Sequence, residues 1–175
     1  IQTIEFRFMP EYATALAGMQ AGEIDMIDTP LMVSDIATMR DDGRFQLFEL
    51  PQQGMRPFVG FNVSKPPFDD IRVRKAFAHL YDRDTLIDKL FFGEYEKLYT
   101  YFPASVYENP HNLKYEYDPE RAKRLLAEAG FGTRNAEGWL QDGQGRIIEL
   151  TLTFDSPSWE RIHTVLQEEL KKAGI

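Results

Sequence analysis

The sequence predicts a mixed α/β or α+β fold, and three observations carry that prediction. Stretches in which apolar residues alternate with period two trade places along the chain with stretches of helical spacing. The helical stretches bring their own punctuation, with Asp or Pro at the start and Gly at the end. Hydrophobic residues make up 43% and aromatics 13% of 175 residues. That is enough core for one domain of ordinary size or two small lobes.

"IQTIEFRFM" alternates, with Ile4, Phe6 and Phe8 on one face, and reads as a strand. Pro10 suits the first turn of a helix with Tyr12, Leu16 and Met19 on one side and a stop near Gly22. "EIDMIDTP" is a short strand closed by Pro30, and a second helix runs from Leu31 to about Arg40, before "DDG". "RFQLFEL" alternates again. "PFVGFNV" reads as a buried strand in which Gly60 marks a bulge or a close backbone approach.

"PPFDDIRVRKAF" follows, from Pro66 to Phe77. The prolines bias the backbone toward extended conformations, and Asp69 or Asp70 can cap the helix behind them. Val73, Ala76, Phe77, Leu80 and Tyr81 then recur at helical spacing. Asp82 caps a second helix, which stops at Gly93. An aromatic, turn-rich stretch to Tyr117 reads as an ordered loop. In "DPERAKRLLAEAG", Asp118 caps, Pro119 takes the first position, Leu125, Leu126 and Ala129 form the apolar face, and Gly130 ends it. "GWLQDGQGRIIELTLTF" reads as a hairpin with Ile148, Leu150, Leu152 and Phe154 on one face. The last helix follows Ser156 and Pro157, buries Trp159, Ile162, Leu166, Leu170 and Ala173, and ends at Gly174. The order is β-α-β-α-β-β, then α-α-loop-α-β-β-α, with a lobe boundary near Asn62 to Pro67.

Composition excludes several functions. Twenty Lys and Arg against 28 Asp and Glu give a formal charge of −8. That speaks against general nucleic-acid binding and against an anionic membrane surface as partner. Without cysteine there is no disulfide, thiolate metal site or Cys nucleophile. His79, His111 and His163 have no companion ligands at metal spacing. No G-x-S-x-G, G-x-G-x-x-G or Walker loop occurs, and "DGQG" fits a hairpin turn. Asp69 and Asp70 fit capping better than catalysis, because acid/base pairs need facing carboxylates with separated pKa values. "RVRK" fits a solvated face pairing with nearby carboxylates better than an anion patch. The aromatics from Phe91 to Tyr117 either wall a ligand or pack a loop. The residues alone suit a binding protein better than an enzyme, with no catalytic residue, cofactor or metal ligand to name.

"AGMQAGEIDMIDTP", "PFVGFNVSKPPFDDIRVRKAFAHLYDRDTLIDKLFFG", "YDPERAKRLLAEAGF" and "IIELTLTF…LQEELKKAGI" resemble the family 5 extracellular solute-binding proteins across essentially the whole chain. The four motifs stand in the family's order. The resemblance implies a two-lobed, periplasmic-binding-protein-like α/β fold with only part of each lobe present. Residues 1–62 would belong to the first lobe and 63–175 to the second, with "SKPPFDD" as the crossing. It implies the peptide- or oligopeptide-capturing component of an ABC importer, extracytoplasmic and lipid-anchored or periplasmic, whose partners are a small solute and membrane permease subunits. Arg56, Pro57, Phe58, Gly60 and Asn62 would lie nearest the solute, with Phe58 and Phe61 open to either a core or a cleft role. Nickel is disfavoured within the family by the poor histidine supply. The first residues have no signal-peptide layout and start as if already inside a strand, so the chain reads as an internal piece. As such it is expected to bind solute weakly or not at all and to self-associate through exposed strand edges. Two other classes stay open: a sensor or chaperone-like module on the same fold, and a hydrolase whose nucleophile and base are not located.

Overall fold

Helices form where the sequence punctuates them. In the computed structural model, which describes residues 2–28, 31–48, 58–103, 105–156 and 159–175, they are α1 (Tyr12–Gln20), α2 (Val33–Asp41), α3 (Ile71–Leu80), α4 (Arg83–Leu90), α5 (Pro119–Glu128) and α6 (Glu160–Ala173). Asp70 caps α3 by accepting from Arg72 N at 2.7 Å. Asp82 caps α4 through Thr85 N at 3.0 Å, and Asp118 caps α5 through Arg121 N at 2.9 Å, with Pro119 behind it. A carboxylate at each of these positions takes up an amide that the helix itself leaves without a partner. At its far end α6 closes on Gly174, whose φ of 92° is the left-handed conformation an L side chain resists. Gly174 N bonds Lys171 O and Ile175 N bonds Leu170 O, both at 2.9 Å, which retires two of the helix's last carbonyls.

The chain divides into two compact units, Ile1–Leu47 and Phe48–Ile175. In the first, Tyr12 of α1 donates to Asp35 Oδ2 at 2.7 Å and accepts from Met32 N at 3.1 Å, which ties α1 to the start of α2. Gly18 is buried, and a Cβ there would stand 2.9 Å from Ile24 Cδ1. In the second unit α3 packs along α5, and α6 touches α3 and α4. Val73, Ala76, Phe77 and Leu80 of α3 meet Ala122 and Leu126 of α5 and Leu166 and Leu170 of α6 in one buried cluster with Leu140 and Ile148. No helix among the described residues is long and apolar enough to cross a membrane.

The expected share of sheet is corrected downward. Residues 2–9, 24–28, 44–48 and 58–62 form no ladder among the described residues. The ladder present joins β1 (Thr133–Arg134) to β2 (Leu140–Gln141), antiparallel, with a single bridge from Gln141 to Ile147. A helix satisfies its backbone from within. A strand needs a neighbour, and alternation in the sequence does not supply one. The expected "DGQG" turn forms, with Asp142 N bonding Arg146 O at 2.9 Å, but its second arm from Ile148 to Phe154 makes no ladder. β1 was not anticipated. Asn135 builds its turn, accepting Glu137 N at 3.1 Å and Trp139 N at 2.9 Å on one oxygen.

Candidate functional site

The residues singled out from sequence lie in the run from Arg56 to Asn62. Arg56 and Pro57 fall outside the described residues. From Phe58 to Asn62 burial alternates with period two. Val59 and Phe61 are half-buried, while Phe58, Gly60 and Asn62 are exposed. Alternate side chains of an extended chain leave on opposite faces, so the three described candidates share the outward one.

An aromatic cluster sets this orientation. The Phe61 ring stacks on Phe68 at 4.9 Å and meets Phe77 edge-on at 5.7 Å, and Phe68 meets Phe77 at 5.2 Å. Phe77 belongs to the α3 core, so Phe61 is an anchor. Phe58 is 75% exposed. The two phenylalanines that the sequence could not separate thus part company: Phe61 goes to the core and Phe58 to the surface. Gly60 has no positive φ, and a Cβ there would rest 3.7 Å from the Phe58 ring, an ordinary contact. Neither a bulge nor a close approach requires glycine at this position. Asn62 Oδ1 accepts from Ser64 N at 3.1 Å and Ser64 Oγ at 2.7 Å, which turns the chain out of the strand-like run. Among the described residues, the N–H and C=O groups of Val59, Gly60 and Phe61 make no backbone hydrogen bond. They are open to an extended partner.

The passage from Ser64 to Asp70 winds tightly, with Phe68 N and Asp69 N both bonding Lys65 O, at 3.0 and 3.1 Å. The basic run beyond it is not an anion site. Arg72 holds Asp70 through both carboxylate oxygens and places Nη1 2.5 Å from Glu128 O, at the end of α5. Arg74 Nη1 donates to Phe68 O at 2.6 Å and Asp69 O at 3.0 Å. The expected carboxylate pairing holds for Arg72, whereas Arg74 spends its guanidinium on backbone carbonyls. The Arg72 hydrogen bond holds the Asp70 carboxyl below the usual range.

The aromatic loop between α4 and α5 packs at its base, as one of the two readings expects, and is exposed at its tip. Its base is fastened down. Arg83 donates to Leu98 O and Tyr115 O and lies 4.9 Å from the Tyr99 ring centre. Lys97 bridges Asp84 and Glu116 at 2.8 Å each, and these hydrogen bonds raise its pKa. Tyr117 donates to Glu169 of α6, and burial together with that carboxylate pushes its pKa up to about 12. The tip instead exposes Tyr101, Phe102, Val106 and Tyr107. Beside it opens a cavity of about 270 Å³ lined by Tyr99, Glu108, Asn109, Asn112 and Lys114 among others, which the sequence did not announce.

The histidines do not converge. His79 is buried, with Nδ1 2.7 Å from Glu116 O. His163 lies between Phe154 and Trp159, and burial lowers its pKa. Among the described residues no three His, Cys, Asp or Glu side chains are grouped to hold a metal ion.

An outward strand-like run whose backbone groups make no backbone hydrogen bond among the described residues is a surface suited to binding an extended partner. The chain belongs to the bacterial extracellular solute-binding proteins, family 5, whose middle region it matches over residues 1–175. It is 31% identical to heme-binding protein A of Haemophilus influenzae over an alignment of 170 positions that covers 95% of this chain and 29% of that protein. It is 29% identical to the oligopeptide-binding protein AppA of Bacillus subtilis over an alignment of 181 positions that covers all of this chain and 32% of that protein. Its fold matches the crystal structure of NikA from Brucella suis in complex with Fe(III)-EDTA. The TM-score is 0.80 and the identity 27%, over 95% of this chain and 34% of that one. The chain thus spans about a third of the length of these relatives. The family consists of solute-binding transport receptors, not enzymes.

Proposed function

We propose that this chain is part of the substrate-binding component of an ABC importer, working outside the cytoplasm, periplasmic or lipid-anchored. It captures a peptide or oligopeptide-like solute between two lobes and delivers it to membrane permease subunits. The observation that carries the reading is the outward face of Phe58, Gly60 and Asn62, backed by open amides and carbonyls, in a family 5 chain. An extended peptide can pair with such a backbone edge whatever its sequence, while its side chains take the pockets on either side. Arg56 and Pro57, just upstream, complete the proposed contact set, and Ser64 to Asp70 forms the crossing between lobes.

Haem is the competing solute, because a relative at 31% identity is named for it. Peptide is preferred because the outward run offers open backbone groups to an extended chain, while His79 is buried and His163 half-buried against Phe154 and Trp159. Saturation-transfer NMR with a pool of tri- to pentapeptides decides, run beside haem absorbance and Ni²⁺ titrations on the same chain. The reading expects weak transfer to peptide protons and no saturable haem or nickel response. Tight haem or nickel binding would overturn it. Calorimetric peptide affinity of micromolar or better would contradict the further expectation that this chain binds only weakly by itself.

A further inference from the structure

Among the described residues, the cavity beside the aromatic loop is lined by the segment 99–114 alone. That segment is internal, remote in sequence from both ends, and it closes on itself. Its walls are held from behind. Tyr99 donates through its hydroxyl to Glu116, and the Arg83 guanidinium lies 4.9 Å from its ring centre. Asn112 N bonds Asn109 O at 3.2 Å, and Glu108 N bonds Ser105 O at 3.1 Å. The Lys114 ammonium stands 5.0 Å from the centre of the Tyr99 ring, a cation–π contact that keeps it at the wall. The hydrogen bonds already made fix what each wall group has left to offer. Asn109 Oδ1 accepts from His111 N at 3.0 Å, so its Nδ2 is left to donate. Asn112 Nδ2 donates to Tyr99 O at 3.0 Å, so its Oδ1 is left to accept. Thr100 Oγ1 accepts from Phe102 N at 3.1 Å and keeps its own proton for another acceptor. Lys114 is exposed, makes no ion pair among the described residues and carries three donors.

We infer that this cavity binds the zwitterionic head of a free α-amino acid. Lys114, Thr100 and Asn109 take the carboxylate, and Asn112 Oδ1 and the Glu108 carboxylate take the ammonium. Both signs of charge line one small space, and that selects the ligand. A simple anion meets repulsion from Glu108, and a simple cation meets it from Lys114. A peptide holds its two charged ends at least one residue further apart, so it presents one of them at a time. The volume agrees: about 270 Å³ lies just below the roughly 300–1,000 Å³ of pockets that hold drug-sized molecules. No lining residue belongs to the run from Phe58 to Asn62, so the site is independent of the peptide reading. Two charge-assisted contacts at a solvent-facing wall give modest affinity, with a dissociation constant on the order of 1 mM.

Amide NMR of the labelled chain, titrated with L-alanine, tests this. Two blocked compounds run beside it: N-acetyl-L-alanine, which lacks the ammonium, and L-alaninamide, which lacks the carboxylate. L-alanine should give saturable shifts at Thr100, Asn112 and Lys114 and at the Asn109 side-chain amide. Each blocked compound should bind at least about tenfold more weakly. Lys114→Gln should weaken L-alanine about tenfold, whereas Lys123→Gln, at an exposed position on α5, should leave it unchanged. Glu108→Gln should weaken L-alanine and strengthen N-acetyl-L-alanine, because it removes an attraction for one and a repulsion for the other. Equal responses to the three compounds, no saturable shift below about 50 mM L-alanine, or a Lys114→Gln chain that responds like the parent would each overturn the proposal.

Discussion

Replacing Phe61 by alanine should weaken the second unit far more than replacing Phe58, although the two residues lie three apart in one run. Phe61 is half-buried and touches the rings of Phe68 and Phe77 at 4.9 and 5.7 Å. A fully buried Phe→Ala costs about 3–5 kcal/mol, so half-burial scales the loss to about 2 kcal/mol with the two ring contacts included. Phe58 is 75% exposed, and Phe58→Ala should stay within about 0.5 kcal/mol of the parent. With a urea slope of about 1.5 kcal/mol per molar, Phe61→Ala lowers the unfolding midpoint by about 1.3 M and Phe58→Ala by at most about 0.3 M. Urea titrations followed by circular dichroism measure both. Equal shifts, or a larger one for Phe58→Ala, would refute the alternation on which the outward face depends.

Gly174→Ala should cost more than about 1 kcal/mol, since its φ is left-handed and its Cβ would crowd the Arg134 guanidinium and stand 3.0 Å from Gly138 O. Gly132→Ala, whose Cβ would make an ordinary 3.6 Å contact, is the thermal-melt control expected to be near neutral. Asp118→Ala removes the α5 cap and should cost about 1 kcal/mol, read by the same melts. His163 has a folded pKa lowered by burial. Its contribution to stability is therefore complete above the unfolded value of about 6.5 and is lost as pH falls from there through the lowered folded value. Urea midpoints at neutral and mildly acid pH should diverge in the parent and less so in His163→Phe. Asp70, lowered by its hydrogen bond to Arg72, acts over a lower window. Its contribution is present above an unfolded value of about 3.9 and fades as pH falls through the folded one, so Asp70→Asn should flatten the acid limb of a stability profile.

What the sequence makes legible is what is local. Asp70, Asp82, Asp118 and Gly174 state their roles within four residues, and each cap or stop stands where its chemistry puts it. Pairing is not local. Ile4, Phe6 and Phe8 alternate as a strand should, yet no signal in the run says where a partner lies. The same limit hid the end of α5 from Arg72, because Glu128 O is 56 residues away. In the candidate site, "PFVGFN" offered two phenylalanines of equal apolarity. Only the position of Phe77 on α3 decides which one is held, and that is a fact of packing rather than of spacing. The loop from Phe91 to Tyr117 divides for a similar reason, since its base meets charged partners on α4 and α6 while its tip exposes Tyr101, Val106 and Tyr107.

The central claim is that the outward residues of one run meet the solute. Two-dimensional amide NMR of the labelled chain, titrated with a mixture of tri- to pentapeptides, tests it most directly. The account predicts that shift changes concentrate from Arg56 to Asn62, largest at Phe58, Gly60 and Asn62. Changes confined to the cavity beside Tyr99 and Lys114, with none between Phe58 and Asn62, would contradict it.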